Sequence, residues 1–186
     1  MDASLPSANT LKTLLAYHGE RSKGIVWAHN SHIGNAEATE MSARGEHNIG
    51  QFCRKEFGQN CYAIGFGTDH GTVAAASEWG SPMEIKNIRP SVKESVERLC
   101  HESETPHFML ALRDREAAHT KGLLKPRLER AIGVIYRPES ELASHYFAAV
   151  LPWQFDENIW FDETRAVAPL KTHELKGLPD TYPFGV

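Results

Sequence analysis

The run Gly24-Ile-Val-Trp-Ala28-His29-Asn-Ser-His32 and the residues beyond it as far as Phe66 decide the fold class. Its apolar first half follows a polar turn at residues 20–23 and reads as a buried strand whose end delivers two histidines. In residues 48–57, Ile49, Phe52, Cys53 and Phe57 fall at helical spacing and Gly58 closes the segment; residues 61–66 then form a second apolar run. The order is strand, helix, strand.

The same alternation continues in both directions. Toward the start, Leu11, Leu14 and Leu15 repeat behind a candidate cap at Asn9 or Thr10, predicting a short amphipathic helix that stops at His18-Gly19. Toward the end, Val92, Val96, Leu99 and Cys100 share one face of a helix over residues 91–100, and residues 107–112, 131–136, 146–151 and 158–161 are strand candidates. Strands alternating with helices predict an α/β architecture, a central sheet flanked by helices, and the closely spaced closing strands predict that the sheet is mixed. Residues 1–170 are expected to form one domain part, and residues 171–186, with Pro179 and Pro183, an extended tail.

Composition narrows the function classes. With 41% hydrophobic and 24% charged residues the chain has a globular profile rather than a disordered one. A net charge of -4 without a basic run makes nucleic acid a poor partner. Cys53, Cys61 and Cys100 are an odd set with no Cys-x-x-Cys pair, which suggests neither a disulfide framework nor a thiolate zinc site and fits a reducing cytoplasm. The first ten residues carry no export signal, and no stretch approaches the roughly 20 apolar residues of a membrane span.

The strongest chemical candidate is the pair His29 and His32, because two imidazoles at a strand exit can face one cleft and serve as base, acid or polarising donor. A capping or solvent-facing pair is the plain alternative. A metal site would need a third ligand, which spacing does not identify, so a divalent metal stays open. Glu37, Glu40, Arg44 and Glu46 follow closely: a carboxylate there could orient a histidine and the arginine could bind an oxyanion, or all four could be solvated charges. Gly67-Thr-Asp69-His-Gly71 imitates a nucleophile elbow with aspartate in the nucleophile position, and a glycine-rich turn is the simpler reading. Met41, Met83 and Met109 share no spacing and are expected in packing roles; Trp79, Trp153 and Trp160 are core or interface candidates that could also line a cleft.

Val26-Trp-Ala-His29-Asn-Ser-His32-Ile-Gly34 and Ala38-Thr-Glu40-Met41, followed in order by several further blocks, resemble the erythromycin esterase-like family. Those blocks are Asn48-Ile-Gly50-Gln51, Gly65-Phe-Gly-Thr68, Gly71-Thr-Val73, Ala76-Ser-Glu-Trp79-Gly80, residues 124–139, Ser144-His-Tyr146-Phe147, Phe161-Asp-Glu-Thr-Arg165-Ala-Val167 and Thr181-Tyr-Pro-Phe-Gly185. The resemblance implies an ester hydrolase that uses an activated water instead of a serine nucleophile, acting in the best-known cases on the macrolactone of macrolide antibiotics, where it confers resistance. It implies catalytic roles for His29 and His32, with Glu40 and Arg44 as supporting or substrate-binding residues, a small-molecule ester as partner, and no cofactor. His70 falls between matching blocks and takes no role from the resemblance.

The resemblance further implies that the water-activating base belongs to a segment preceding these residues. The chain is therefore expected to be impaired by itself, because residues acting as a unit contribute non-additively, and to self-associate through uncovered apolar surface. Two other classes stand beside this reading: a non-catalytic remnant or binding module, and a metal- or haem-binding protein of related fold.

Overall fold

The computed structural model describes residues 4–168. In chain order its elements are α1 (Ser4–His18), α2 (Asn30–Ile33), α3 (Glu40–Ala43), α4 (Ile49–Phe57), β1 (Ile64–Ala75), β2 (Glu84–Ile88), α5 (Val96–His101), β3 (His107–Ala111), α6 (Ala118–Lys121), β4 (Arg127–Arg130), α7 (Glu141–Ser144), β5 (Tyr146–Ala149), α8 (Leu151–Gln154) and β6 (Glu157–Thr164). The tail expected over residues 171–186 lies outside the described residues.

Four strands form one sheet in the order β2-β1-β6-β3. The central pair β1 and β6 is parallel, with Phe66 opposite Ile159 and Thr68 opposite Phe161; β2 and β3 add antiparallel on the two edges. The sheet is mixed, as the closing strands suggested. A two-stranded antiparallel ribbon, β4 with β5, stands beside it. The core gathers where α5, α8 and β6 meet, around Val96, Cys100, Leu112, Leu123, Leu151, Phe155 and the fully buried Trp160.

Local chemistry explains why these elements sit where they do. Asn48 caps α4 by accepting from Gln51 N at 2.9 Å, and its amide donates to Ser31 O and Gly34 O, both at 2.7 Å, so one side chain starts the helix and fixes it to the turn behind α2. Gly50 permits that contact: a Cβ there would lie 2.1 Å from Ile33 O. Ser95 caps α5 by accepting from Arg98 N at 3.1 Å, which places the start of the helix later than residue 91.

Several sequence expectations are corrected. Residues 24–28 are not a buried strand: Ile25 is 92% exposed and Trp27 87%. A strand exists only where a neighbour's backbone meets its own, and here the side chain of Asn30 takes that place, donating to Phe66 O at 2.7 Å and accepting from Phe66 N at 3.2 Å. Asn9 and Thr10 lie within α1 instead of capping it. Residues 67–71 are neither elbow nor turn, since β1 runs straight through them. The strand expected over residues 131–136 is displaced to β4; in its place Ile135 makes a single bridge to Ala76. Residue 151 leaves the β5 run because Pro152 opens α8. Met83 and Met109 are exposed, Met109 on the outward side of an edge strand, and Trp79 and Trp153 are exposed while Trp160 is core. No described helix is long and apolar enough to cross a membrane.

Candidate functional site

A broad cleft of about 1150 Å³ opens between α1, the extended segment 24–28, α4 and the β1 face of the sheet. Leu11, Leu15, Trp27, Ile33, Cys53, Phe57, Phe66 and Phe161 make most of it apolar, while His29, Asn30, Glu97 and Arg130 supply polar groups. Mostly apolar walls with a few directed polar groups are the usual make-up of a small-molecule site.

His29 precedes α2 and caps it, its Nδ1 accepting from Ser31 N at 3.2 Å with Ser31 Oγ at 2.8 Å. Its Nε2 lies 2.9 Å from Ile132 O. A carbonyl oxygen only accepts, so Nε2 carries the proton and Nδ1 is the acceptor. Burial pushes the imidazole below its ordinary value and His32 adds to this, against the opposing pull of the Ile132 carbonyl; the ring is thus held neutral, as a donor through Nε2. His32 is exposed, its ring edge-on to His29 at 6.4 Å between centroids.

Glu40 and Arg44 are placed elsewhere. Glu40 Oε2 accepts from Ala148 N at 3.0 Å, tying α3 to β5, and Oε1 pairs with Arg44 one helical turn on. Glu40 borders a separate depression with Thr39, Pro126, Ala148 and Trp153. The structure therefore brings His29 near His32, and Glu40 to Arg44, while His29 and Glu40 line different cavities.

Two polar clusters escaped the sequence reading. In the first, Glu97 and Glu129 are buried carboxyls, each with one oxygen lacking a partner. Glu97 accepts from Arg130 N at 2.9 Å, and Glu129 from Gln154 Nε2 at 3.4 Å. Burial raises Glu97 despite the Arg130 contacts, and raises Glu129 well above the usual carboxylate range with Glu97 adding to it. Arg130 spans the cluster, donating to Tyr146 Oη, Asp69 O and Arg89 O at 2.8, 2.9 and 3.0 Å. A charged pair embedded beside Ala131-Ile132 was the available sequence signal, since β4 buries both Glu129 and Arg130.

The second cluster joins β1, α5 and β6. Asp69 is buried, and its Oδ1 accepts from Ser91 N at 3.1 Å and from the Ser91 hydroxyl. Its Oδ2 faces His70 Nδ1 at 3.1 Å and His101 Nδ1 at 3.7 Å; His101 Nδ1 also meets Asp162 Oδ1 at 2.7 Å. Burial alone would raise the Asp69 carboxyl, but the Ser91 bonds together with His101 and His70 outweigh it and leave it lowered. The bond to Asp162 raises His101. Among the described residues, Asp69, His70 and His101 are the side chains whose ligand atoms converge within 4.8 Å, as a metal ion would require, and neither His29 nor His32 belongs to that group.

With this geometry in view, the family model described as Erythromycin esterase matches residues 7–164. The chain belongs to the erythromycin esterase family. The match takes in most of the cleft, His29 and His32, and both polar clusters. Among solved structures, the fold is similar to a succinoglycan biosynthesis protein, at 25% identity and a TM-score of 0.62, covering 75% of this chain and 33% of that one. It is also similar to a Bacillus cereus protein at 17% identity and a TM-score of 0.63, covering 76% and 33%. The chain spans about a third of the length of these solved members of the fold.

Proposed function

We propose that these residues form one wall of an ester-hydrolysing cleft, in which His29 polarises the scissile carbonyl and His32, exposed beside His29 and outside the cleft lining, assists. The observation that carries this reading is His29 itself: a neutral imidazole that lines a broad, mostly apolar cleft with its Nε2–H, in a chain belonging to the erythromycin esterase family. A substrate carbonyl would compete with Ile132 O for that N–H, and a neutral donor in a largely apolar setting stabilises the charge developing on the carbonyl oxygen. The water-activating base comes from residues outside these 186, so the chain by itself turns over ester orders of magnitude more slowly than the assembled site. Glu40, paired with Arg44, acts only indirectly, by tying α3 to β5 outside the His29 cleft.

The test is hydrolysis of a macrolide and of an aryl ester by the chain alone and by a version extended with a family N-terminal half, each with and without His29→Ala. Activity confined to the extended form and abolished by His29→Ala supports the proposal. Turnover by the 186 residues alone, dependent on His29, would overturn the external base. A second reading, a binding module without turnover, is favoured by the commitment of both His29 nitrogens to Ser31 and Ile132; ester binding without hydrolysis in the extended form would select it.

A further inference from the structure

We propose that Asp69, His70 and His101 form a site for a divalent transition-metal ion of the zinc type, separate from the His29 cleft and structural in role. A tetrahedral zinc ion with bonds of about 2.0–2.2 Å holds its ligand atoms about 3.3–3.6 Å apart. Asp69 Oδ2 lies 3.1 Å from His70 Nδ1 and 3.7 Å from His101 Nδ1. These two edges bracket the required distance, and all three ligand atoms lie within 4.8 Å of one another, so a turn of the half-exposed imidazoles would admit the ion. His101 Nδ1 now bonds Asp162 Oδ1 at 2.7 Å; the ion displaces the Nδ1 proton to solvent, which frees Asp162 to accept from a water in the fourth position.

The backbone is built for this convergence. Successive strand residues ordinarily face opposite sides, yet the Asp69 and His70 side chains meet. Gly71 follows them at φ 116°, a conformation that other residues rarely adopt, and β1 there passes from pairing with β6 alone to pairing with β2 as well. The ligand carboxylate is also held from behind, because Ser91 N and Oγ occupy its other oxygen. Such outer partners fix a ligand's orientation before an ion arrives. Half-exposed His70 and His101 leave an entry path. Arg98 stands 3.8 Å from Asp69 Oδ1 and moderates affinity, but its guanidinium is occupied by Ser91 O at 2.7 Å. An ion there would link β1 to α5, two elements far apart in sequence, beside Asp162 of β6.

The experiment treats the purified 186-residue chain with a chelator and titrates it with Zn²⁺ by calorimetry and with Co²⁺ by visible absorption, recording melting temperature throughout. The expected result is one ion per chain, the visible bands of four-coordinate cobalt without a thiolate charge-transfer band, and a rise in melting temperature. Binding is retained in His29→Ala and His32→Ala and lost in both His70→Ala and His101→Ala. The metal-free melting curve of each variant shows that it folds, and either half-exposed histidine suffices for the test if the other variant does not. Absence of saturable binding overturns the proposal. So does binding that survives both His70→Ala and His101→Ala, or that depends on His29.

Discussion

Replacing Asp156 with asparagine should cost about 3 kcal/mol, and the number follows from the donors that converge on one carboxylate. Asp156 is buried just before β6. Its Oδ2 accepts from Arg54 Nη2 at 2.6 Å and Ala63 N at 2.8 Å, and its Oδ1 from Arg113 Nε at 3.0 Å. Asparagine offers one acceptor oxygen. Whichever way it turns, its NH₂ confronts either Arg113 or the Arg54–Ala63 pair, and two guanidinium groups lose their counter-charge. Breaking a buried pair on one side costs about 3–5 kcal/mol; the side chain of Arg113 is 37% exposed, so solvent screens part of its share and the lower end of the range applies. Urea denaturation at pH 7, followed by tryptophan fluorescence and circular dichroism, measures the difference. The pH dependence supplies a second check. Burial alone would raise the Asp156 carboxyl, but Arg54, Ala63 N–H and Arg113 outweigh it and leave it lowered. Its contribution is therefore present above the unfolded value of 3.8 and lost as pH falls through the lower folded value. The gap between wild type and Asp156→Asn should close in that acid window. A loss under about 1 kcal/mol, the range of exposed ion pairs, or a gap that does not change with pH, would refute the reasoning.

Gly71→Ala should destabilise by more than the roughly 1–2 kcal/mol of a left-handed backbone alone, because its Cβ would fall 1.9 Å from Thr164 O; a thermal melt unchanged from wild type would contradict this. Glu129→Gln should raise stability at neutral pH. A carboxyl whose folded value is raised contributes fully below its unfolded value of 4.5 and loses that contribution as pH rises toward the folded one; the glutamine variant should accordingly show a flatter stability profile above that point in melts taken across pH. Trp27→Ser, at a side chain 87% exposed, should leave stability within about 0.5 kcal/mol while lowering the self-association expected of the apolar segment 25–27. Light scattering against concentration reads this, and an unchanged scattering slope would count against that segment as the contact.

The mixed α/β class was legible because α4, β3 and β6 carry their own local signals: Asn48 and Gly58 bracket the helix, and the strand runs at residues 107–112 and 158–161 are short and apolar. Where reading failed, the deciding partner was distant. Residues 24–28 have the composition of a buried strand but meet no backbone neighbour, while β2, with its charged Glu84 and Lys86, is a strand because β1 pairs with it. The candidate site divides along the same line. His29 could be singled out because the motif around it is contiguous, and its contact with Ile132 merely adds a long-range anchor. The Asp69 cluster could not, since its side chains come from β1 and from the end of α5, with Asp162 of β6 beside them, and no contiguous run of sequence joins them. A site assembled from one loop leaves a motif, whereas one assembled from separate elements leaves single residues that look like any exposed polar side chain. The glycine-rich run at residues 67–71 imitated an elbow because its glycines answer distant neighbours: a Cβ on Gly67 would meet the Trp160 ring at 3.2 Å, and Gly71 takes φ 116° where β1 changes its pairing from β6 to β2.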